Sequence, residues 1–132
     1  MPVLNLTKKT WLATTVRKAD NFLTRLVGLL RRNALGPEEA LWLVPSKGVH
    51  TVGMRFPIDV IFLDRSNHVI DSVSGLAPYR LSRWRTAAHS VLELPRGAIK
   101  KSSTEIGDEV EITLAEISAM DDLKETELNK LH

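Results

Sequence analysis

The sequence predicts a mainly β fold, a small β-sandwich or barrel-like domain with one amphipathic helix and room for a short C-terminal helix. Three observations carry this. Several short apolar or alternating runs are each bounded by Gly, Pro, Asn or Asp. Only residues 20–32 hold a clear helical period. Many short strands with a single helix among them pack as two sheets or a small barrel, the helix covering one open side.

The elements follow in chain order. Residues 10–16 are rich in β-branched side chains and read as one strand. In residues 20–32, Phe22, Leu26 and Leu30 lie four apart, with Leu23 and Val27 beside them, which gives one apolar stripe. Asp20 suits the N-cap, and Arg31 and Arg32 suit the negative end of the helix dipole. Gly36-Pro37 breaks the chain. Leu41-Trp42-Leu43-Val44 is a continuous apolar run ended by Pro45, as expected of a strand covered on both faces.

Residues 48–56 read as an irregular loop with two glycines. Residues 58–64 form the strongest strand, with Pro57 at its entry, where a missing N–H is tolerated. Asp64-Arg65-Ser66-Asn67 reads as a hairpin turn into a strand at 68–74. A loop rich in Arg, Pro and Ser at 75–87 precedes a strand at 90–94 and a helical turn at 98–103. Ile106-Gly107-Asp108 is a turn signal. Beyond it Val110, Ile112 and Leu114 face inward, and Glu109, Glu111 and Thr113 outward. Residues 1–117 are read as one globular domain and 118–132 as a polar tail or helix with a loose apolar stripe.

Composition narrows the function classes. The 132 residues are 43% hydrophobic and 26% charged, ordinary globular usage that argues against wholesale disorder. There is no cysteine, so disulfides, thiolate catalysis and Cys-type zinc sites are excluded. That composition fits a reducing compartment. No apolar segment follows a basic start, and no run approaches the ~20 residues of a spanning helix. A cytoplasmic protein without membrane partners is expected. Net charge is +2 but uneven: residues 1–35 carry seven basic groups against Asp20, and the region from Glu116 onward holds five carboxylates against two lysines.

The candidate site is the segment from Val49 to Asp64, where His50, Thr51, Arg55 and Asp59 surround a glycine loop that leads into the strongest strand. Polar groups converging on a rigid strand are what binding sites look like. Strand alternation puts Asp59 with Ile61 and Leu63 on one apolar face, and Ile58, Val60 and Phe62 on the other. A carboxylate there needs a partner, since burying a charge unpaired costs several kcal/mol. Arg55, Arg80 and His50 are candidate partners. Two readings of Asp59 result. One makes it a general base or ligand anchor. The preferred one makes it a structural carboxylate that holds the 48–56 loop through its N–H groups.

The segment Pro57-Ile58-Asp59-Val60-Ile61-Phe62-Leu63-Asp64 resembles the family catalogued as domain of unknown function 192. Three further pieces, in matching order, are Arg25-Leu26-Val27-Gly28-Leu29-Leu30-Arg31-Arg32, Val91-Leu92-Glu93-Leu94-Pro95-Arg96-Gly97 and Ile106-Gly107-Asp108-Glu109-Val110. The resemblance spans about residues 11–114. It implies a sandwich-like, mainly β fold and no activity, because the family has none established. Gly53-Met54 stand where many relatives have Asn-Thr, and His50 where an aromatic is common, so no role is carried over from those positions.

Other chemistries find little footing. His50, His89 and Asp59 lack the close histidine pairing of metal sites, and no metal or other cofactor is expected. Ser90 beside His89 sends the two side chains to opposite faces of a strand. No nucleophile elbow or phosphate-cradling glycine loop is present. Tyr79 and Trp84 interleave with Arg80, Arg83 and Arg85, a pattern that can stack and neutralise single-stranded nucleic acid. The plainer reading is a solvated loop with Trp84 packed on the sandwich edge, and nucleic acid is not the expected partner.

The sequence therefore favours a non-catalytic domain that binds a small anionic or hydroxylated ligand through His50, Thr51, Arg55, Asp59 and Arg80. The alternatives are an enzyme using Asp59 as base with His50 as acid, and an interaction module built on the basic loop 79–85. No oligomeric state is implied. The loose stripe of the tail generates one expectation: removing residues 124–132 leaves the fold intact, and loss of a cooperative melt in the truncated chain would place the tail in the core.

Overall fold

A computed structural model of the chain describes residues 3–19, 38–48, 56–77 and 84–113. Among the described residues, eight strands and one short helix follow in order: β1 (Val3–Asn5), β2 (Thr10–Ala13), β3 (Thr15–Ala19), β4 (Glu39–Leu43), β5 (Ile58–Leu63), β6 (Val69–Leu76), β7 (Ser90–Pro95), α1 (Ala98–Ser102) and β8 (Val110–Ile112). They form a three-stranded sheet of order β2-β1-β8 and a five-stranded sheet of order β3-β4-β7-β5-β6. The mainly β, two-sheet expectation holds, and neither sheet closes into a barrel. The helix expected at 20–32 and the helix or tail at 118–132 lie outside the described residues.

β5 is fully buried along its length because it lies between β7 and β6 and both its faces are apolar. Ile58, Val60 and Phe62 join Leu41, Leu43, Phe56, Ala88 and Val91 in one cluster. Ile61 and Leu63 join Leu92, Leu94 and Val69 on the opposite face, where Val3, Leu12 and Val110 of the small sheet meet them. The small sheet thus covers one face of the large sheet. All pairings are antiparallel except β3 with β4.

Two expectations need correction. The single strand expected at 10–16 is two strands in different sheets. The chain switches sheets at Thr14, where the N–H groups of Thr14 and Thr15 both donate to Glu38 O at 2.9 and 3.2 Å. β-Branched composition favours strand on either side of such a switch, so composition alone conceals it. Leu12 and Ala13, consecutive and both buried, are its trace in the sequence. The strand expected at 68–74 runs on through Gly75 and Leu76. Gly75 sits at a register shift opposite Asp59 with φ +66°, a conformation suited to glycine at a bulge.

The hairpin turn forms as expected. Asp64 Oδ1 accepts the N–H groups of Ser66 and His68, each at 2.9 Å, and Asn67 takes φ +59°. The other turn signal, Ile106-Gly107-Asp108, closes a buried polar network. Asn5 Nδ2 donates to Asp108 Oδ2 at 2.9 Å and to Thr104 Oγ1 at 3.0 Å. Lys8 Nζ reaches both oxygens of Asp108, at 3.0 and 3.1 Å, and the Glu105 N–H donates to Oδ2 at 3.0 Å. Burial pushes the Asp108 carboxyl upward, but the hydrogen bonds from Asn5, Glu105 and Lys8 together outweigh it and hold the group below its ordinary value.

A carboxyl held low in the folded state contributes stability above its unfolded pKa, 3.8 here, and that contribution disappears as pH falls through the lower folded value. Asp108→Asn is therefore expected to cost roughly 2–4 kcal/mol at neutral pH, as removal of a buried, multiply bonded charge does. The difference from the unaltered chain should shrink below pH 3.8. Denaturant melts across that range test this, and a difference that does not change with pH counts against the network.

Candidate functional site

Among the sequence-predicted site residues, Asp59 is described. His50, Thr51, Arg55 and Arg80 lie outside the described residues. Asp59 points with Ile61 and Leu63 toward the inter-sheet core and is 1% exposed. Its Oδ1 accepts the Gly75 N–H at 2.8 Å. Its Oδ2 accepts the N–H groups of Ile99 at 2.9 Å and Gly97 at 3.1 Å.

Local sequence explains this arrangement. α1 opens on Gly97, which has φ +96° and no side chain to cap the helix. The first N–H groups of a helix have no acceptor within it. Asp59 supplies one from a neighbouring strand, because Asp59 pairs with Leu94 across β5 and β7 and so lies beside the turn at 95–98. Asp59 is a buried carboxylate that accepts backbone N–H groups. Its described donors belong to Gly75, Gly97 and Ile99; of the 48–56 loop, where the sequence reading placed them, residues 49–55 lie outside the described residues. A general base must reach a substrate proton, and this carboxylate is enclosed with three N–H bonds already directed at it.

Glu93 is a buried carboxylate that the sequence reading did not take as a site candidate. It lies on β7 opposite Leu41 of β4 and Val60 of β5 and is 0% exposed. Alternation puts it with Val91, on the face of the large sheet away from the small sheet. The signal was available: one charge inside Val91-Leu92-Glu93-Leu94, the same pattern that drew notice to Asp59. A buried carboxylate requires cationic or N–H partners on its face.

On that face, the Arg85 guanidinium pairs with Asp71 and stands over the Phe62 ring, 5.9 Å from its centre. The Arg85 N–H donates to Lys47 O at 2.8 Å, so this arginine of the basic stretch is fixed at both backbone and side chain. Trp84 is 68% exposed and does not pack on the sandwich edge as the plainer sequence reading had it. Among the described residues, no group of three or more His, Asp or Glu side chains could hold a metal ion, and no helix is long and apolar enough to cross a membrane.

The fold and its described polar groups define a two-sheet β domain whose motif aspartates accept hydrogen bonds from the chain's own backbone and side chains. The chain belongs to the DUF192 family, described as an uncharacterized ACR, whose model it matches over residues 3–112. That match takes in β1, which the resemblance read from residue 11 onward left out. A UPF0127 protein of Pyrococcus furiosus is 37% identical over 115 residues, covering 83% of this chain and 96% of the relative. A UPF0127 protein of Pyrococcus abyssi is 36% identical over 115 residues, covering 83% and 95%. A crystal structure of a protein of unknown function from Novosphingobium aromaticivorans aligns with TM-score 0.72 at 23% identity, covering 84% of each chain. Another, provisionally described as a transcription regulator, from Sinorhizobium meliloti, aligns with TM-score 0.63 at 21% identity, covering 74% of this chain and 80% of that one. The two structures share the fold.

Asp59→Ala leaves three backbone donors without their acceptor and is expected to cost roughly 3–5 kcal/mol. Asp59→Asn keeps one acceptor oxygen but turns an amide toward some of the same donors, so it should recover only part of the loss. Denaturant melts of both variants measure this. A loss below about 1 kcal/mol for Asp59→Ala would reject the structural role.

Proposed function

We propose that this chain is a non-catalytic binding domain for a small anionic or hydroxylated ligand, acting in the cytoplasm without a cofactor. Arg55 and Arg80 hold the ligand's charge, and His50 and Thr51 contact its polar groups. Glu93 orients a guanidinium, the role the sequence reading gave to Asp59. Asp59 acts at one remove, by fixing the start of β5 from which the 49–55 segment departs.

The observation that carries this reading is the burial of Glu93 on the face where both ligand-bearing segments are anchored. Segment 49–55 ends at Phe56, a member of the apolar cluster on that face. Segment 78–83 ends beside Arg85, whose guanidinium stands over Phe62 of the same cluster. A guanidinium ordered by a buried carboxylate is preorganised for an anion or a hydroxyl-rich group. The acid–base alternative loses support from the enclosure of Asp59 by three N–H bonds. The interaction-module alternative draws on the exposed indole of Trp84.

A thermal-shift screen against small carboxylates, phosphates, polyols and short single-stranded oligonucleotides tests these readings. A true ligand at a hundredfold excess over its Kd stabilises the chain by about 2.7 kcal/mol. Arg55→Ala and Arg80→Ala should each weaken such binding at least roughly tenfold, the scale of one lost charge-assisted contact. Unchanged affinity in both variants overturns the assignment. Binding confined to oligonucleotides and abolished by Trp84→Ala would favour the interaction module.

A further inference from the structure

The opposite end of β5, at Leu63, carries a second polar feature that the reading above does not use. A cavity of about 350 Å³ opens between the β5–β6 hairpin turn and the segment entering β7. Lys47, Asp64, Arg65, Ser66, Thr86 and His89 line it, with the backbone of the turn at 86–88. We propose that this cavity binds the phosphate group of a small phosphorylated molecule.

Its walls are built before any ligand arrives. Lys47 Nζ donates to Thr86 O at 2.6 Å and to Ala88 O at 2.9 Å, which ties the 46–48 turn to the 86–88 turn. The N–H groups of Ser46 and Arg85 reinforce this, donating to His89 O at 2.9 Å and to Lys47 O at 2.8 Å. The His89 N–H donates to Leu63 O at 2.8 Å, which anchors the second wall to the end of β5. Asp64 holds the hairpin wall through the N–H groups of Ser66 and His68.

The charge balance points to an anion. Lys47 is bound by two neutral carbonyls, which orient the ammonium without cancelling its charge and leave one N–H to donate. Among the described residues, the Arg65 guanidinium and the His89 ring have no hydrogen-bond or ion-pair partner. The opposing carboxylate, Asp64, accepts two backbone N–H groups on Oδ1, and the His68 ring stands 3.8 Å from that same oxygen. Lys47 and Arg65 thus exceed Asp64 in charge, with an imidazole and two hydroxyls as further donors.

That donor set favours phosphate among anions. An ammonium serves as a point charge for phosphate, a guanidinium matches its oxygens as a fork, and the Ser66 and Thr86 hydroxyls can fill remaining lone pairs. The cavity falls within the range of small-molecule sites, about 300–1,000 Å³, which leaves space for an organic body beside the phosphate. None of these residues belongs to the Arg55–Arg80–Glu93 reading, so the two stand or fall separately.

Calorimetric titration of the full chain with glycerol phosphate, inorganic phosphate and sulfate tests this. Saturable binding of glycerol phosphate is expected, tighter than that of inorganic phosphate and much tighter than that of sulfate. Arg65→Ala, at an exposed turn position, should weaken it at least tenfold without moving the melting temperature, and adding His89→Gln should weaken it further. Arg55→Ala and Arg80→Ala should leave it unchanged. Absence of saturable binding, equal affinity for all three anions, or binding indifferent to Arg65→Ala overturns the proposal.

Discussion

One buried carboxylate joins three parts of this chain that are far apart in sequence. Asp59 receives an N–H from the β6 bulge at Gly75 and two from the start of α1 at Gly97 and Ile99. The bulge could not offer its amide without the positive φ of Gly75, and α1 has no cap of its own. Hydrogen bonds to a charged acceptor are among the stronger ones in a protein interior, and they are directional. Asp59 therefore fixes where β6 bends and where β7 hands over to the helix. The packing of Ile99 against Leu94 and Ile61 follows from that placement.

The other motif aspartates work the same way on a smaller scale. Asp64 organises the hairpin turn, and Asp108 gathers Asn5, Lys8 and Glu105 around the turn before β8. Each lies where backbone N–H groups would otherwise lack acceptors, which is the commonest demand a fold makes on a short acidic side chain. Asp59, Asp64 and Asp108 are thus accounted for by architecture. Glu93 stands on a continuous strand, away from any turn, and is fully buried.

Much of the architecture was legible because burial writes itself into hydrophobic pattern. The apolar runs at Leu41 and Ile58, the hairpin at Asp64 and the alternation after Gly107 all correspond to observed elements. What stayed hidden depends on partners remote in sequence. Val3–Asn5 is too short to show a period, and its strand character comes from β2 and β8 on either side. The switch at Thr14 leaves composition unchanged. Alternation revealed that Asp59 is buried, but its donors lie 16 to 40 residues further along the chain, and no local pattern names them. The alternation that marks Asp59 as buried marks Glu93 on β7 as well.

The central place of β1 also shapes how the molecule comes together. Its hydrogen-bonding partners on one side, Val110 to Ile112, follow it by more than a hundred residues, and Asn5 is 103 residues from Asp108. Contacts of such sequence separation raise contact order and slow folding, since a long loop must close before they form. On a ribosome, which releases a chain from its N-terminus onward, the middle strand of the small sheet emerges first and its β8 edge last. Until β8 arrives, one edge of β1 has no strand beside it, and such an edge can pair with another chain. The nascent protein thus carries an open sheet edge until β8 is made, a period in which shielding by a chaperone has the most to offer.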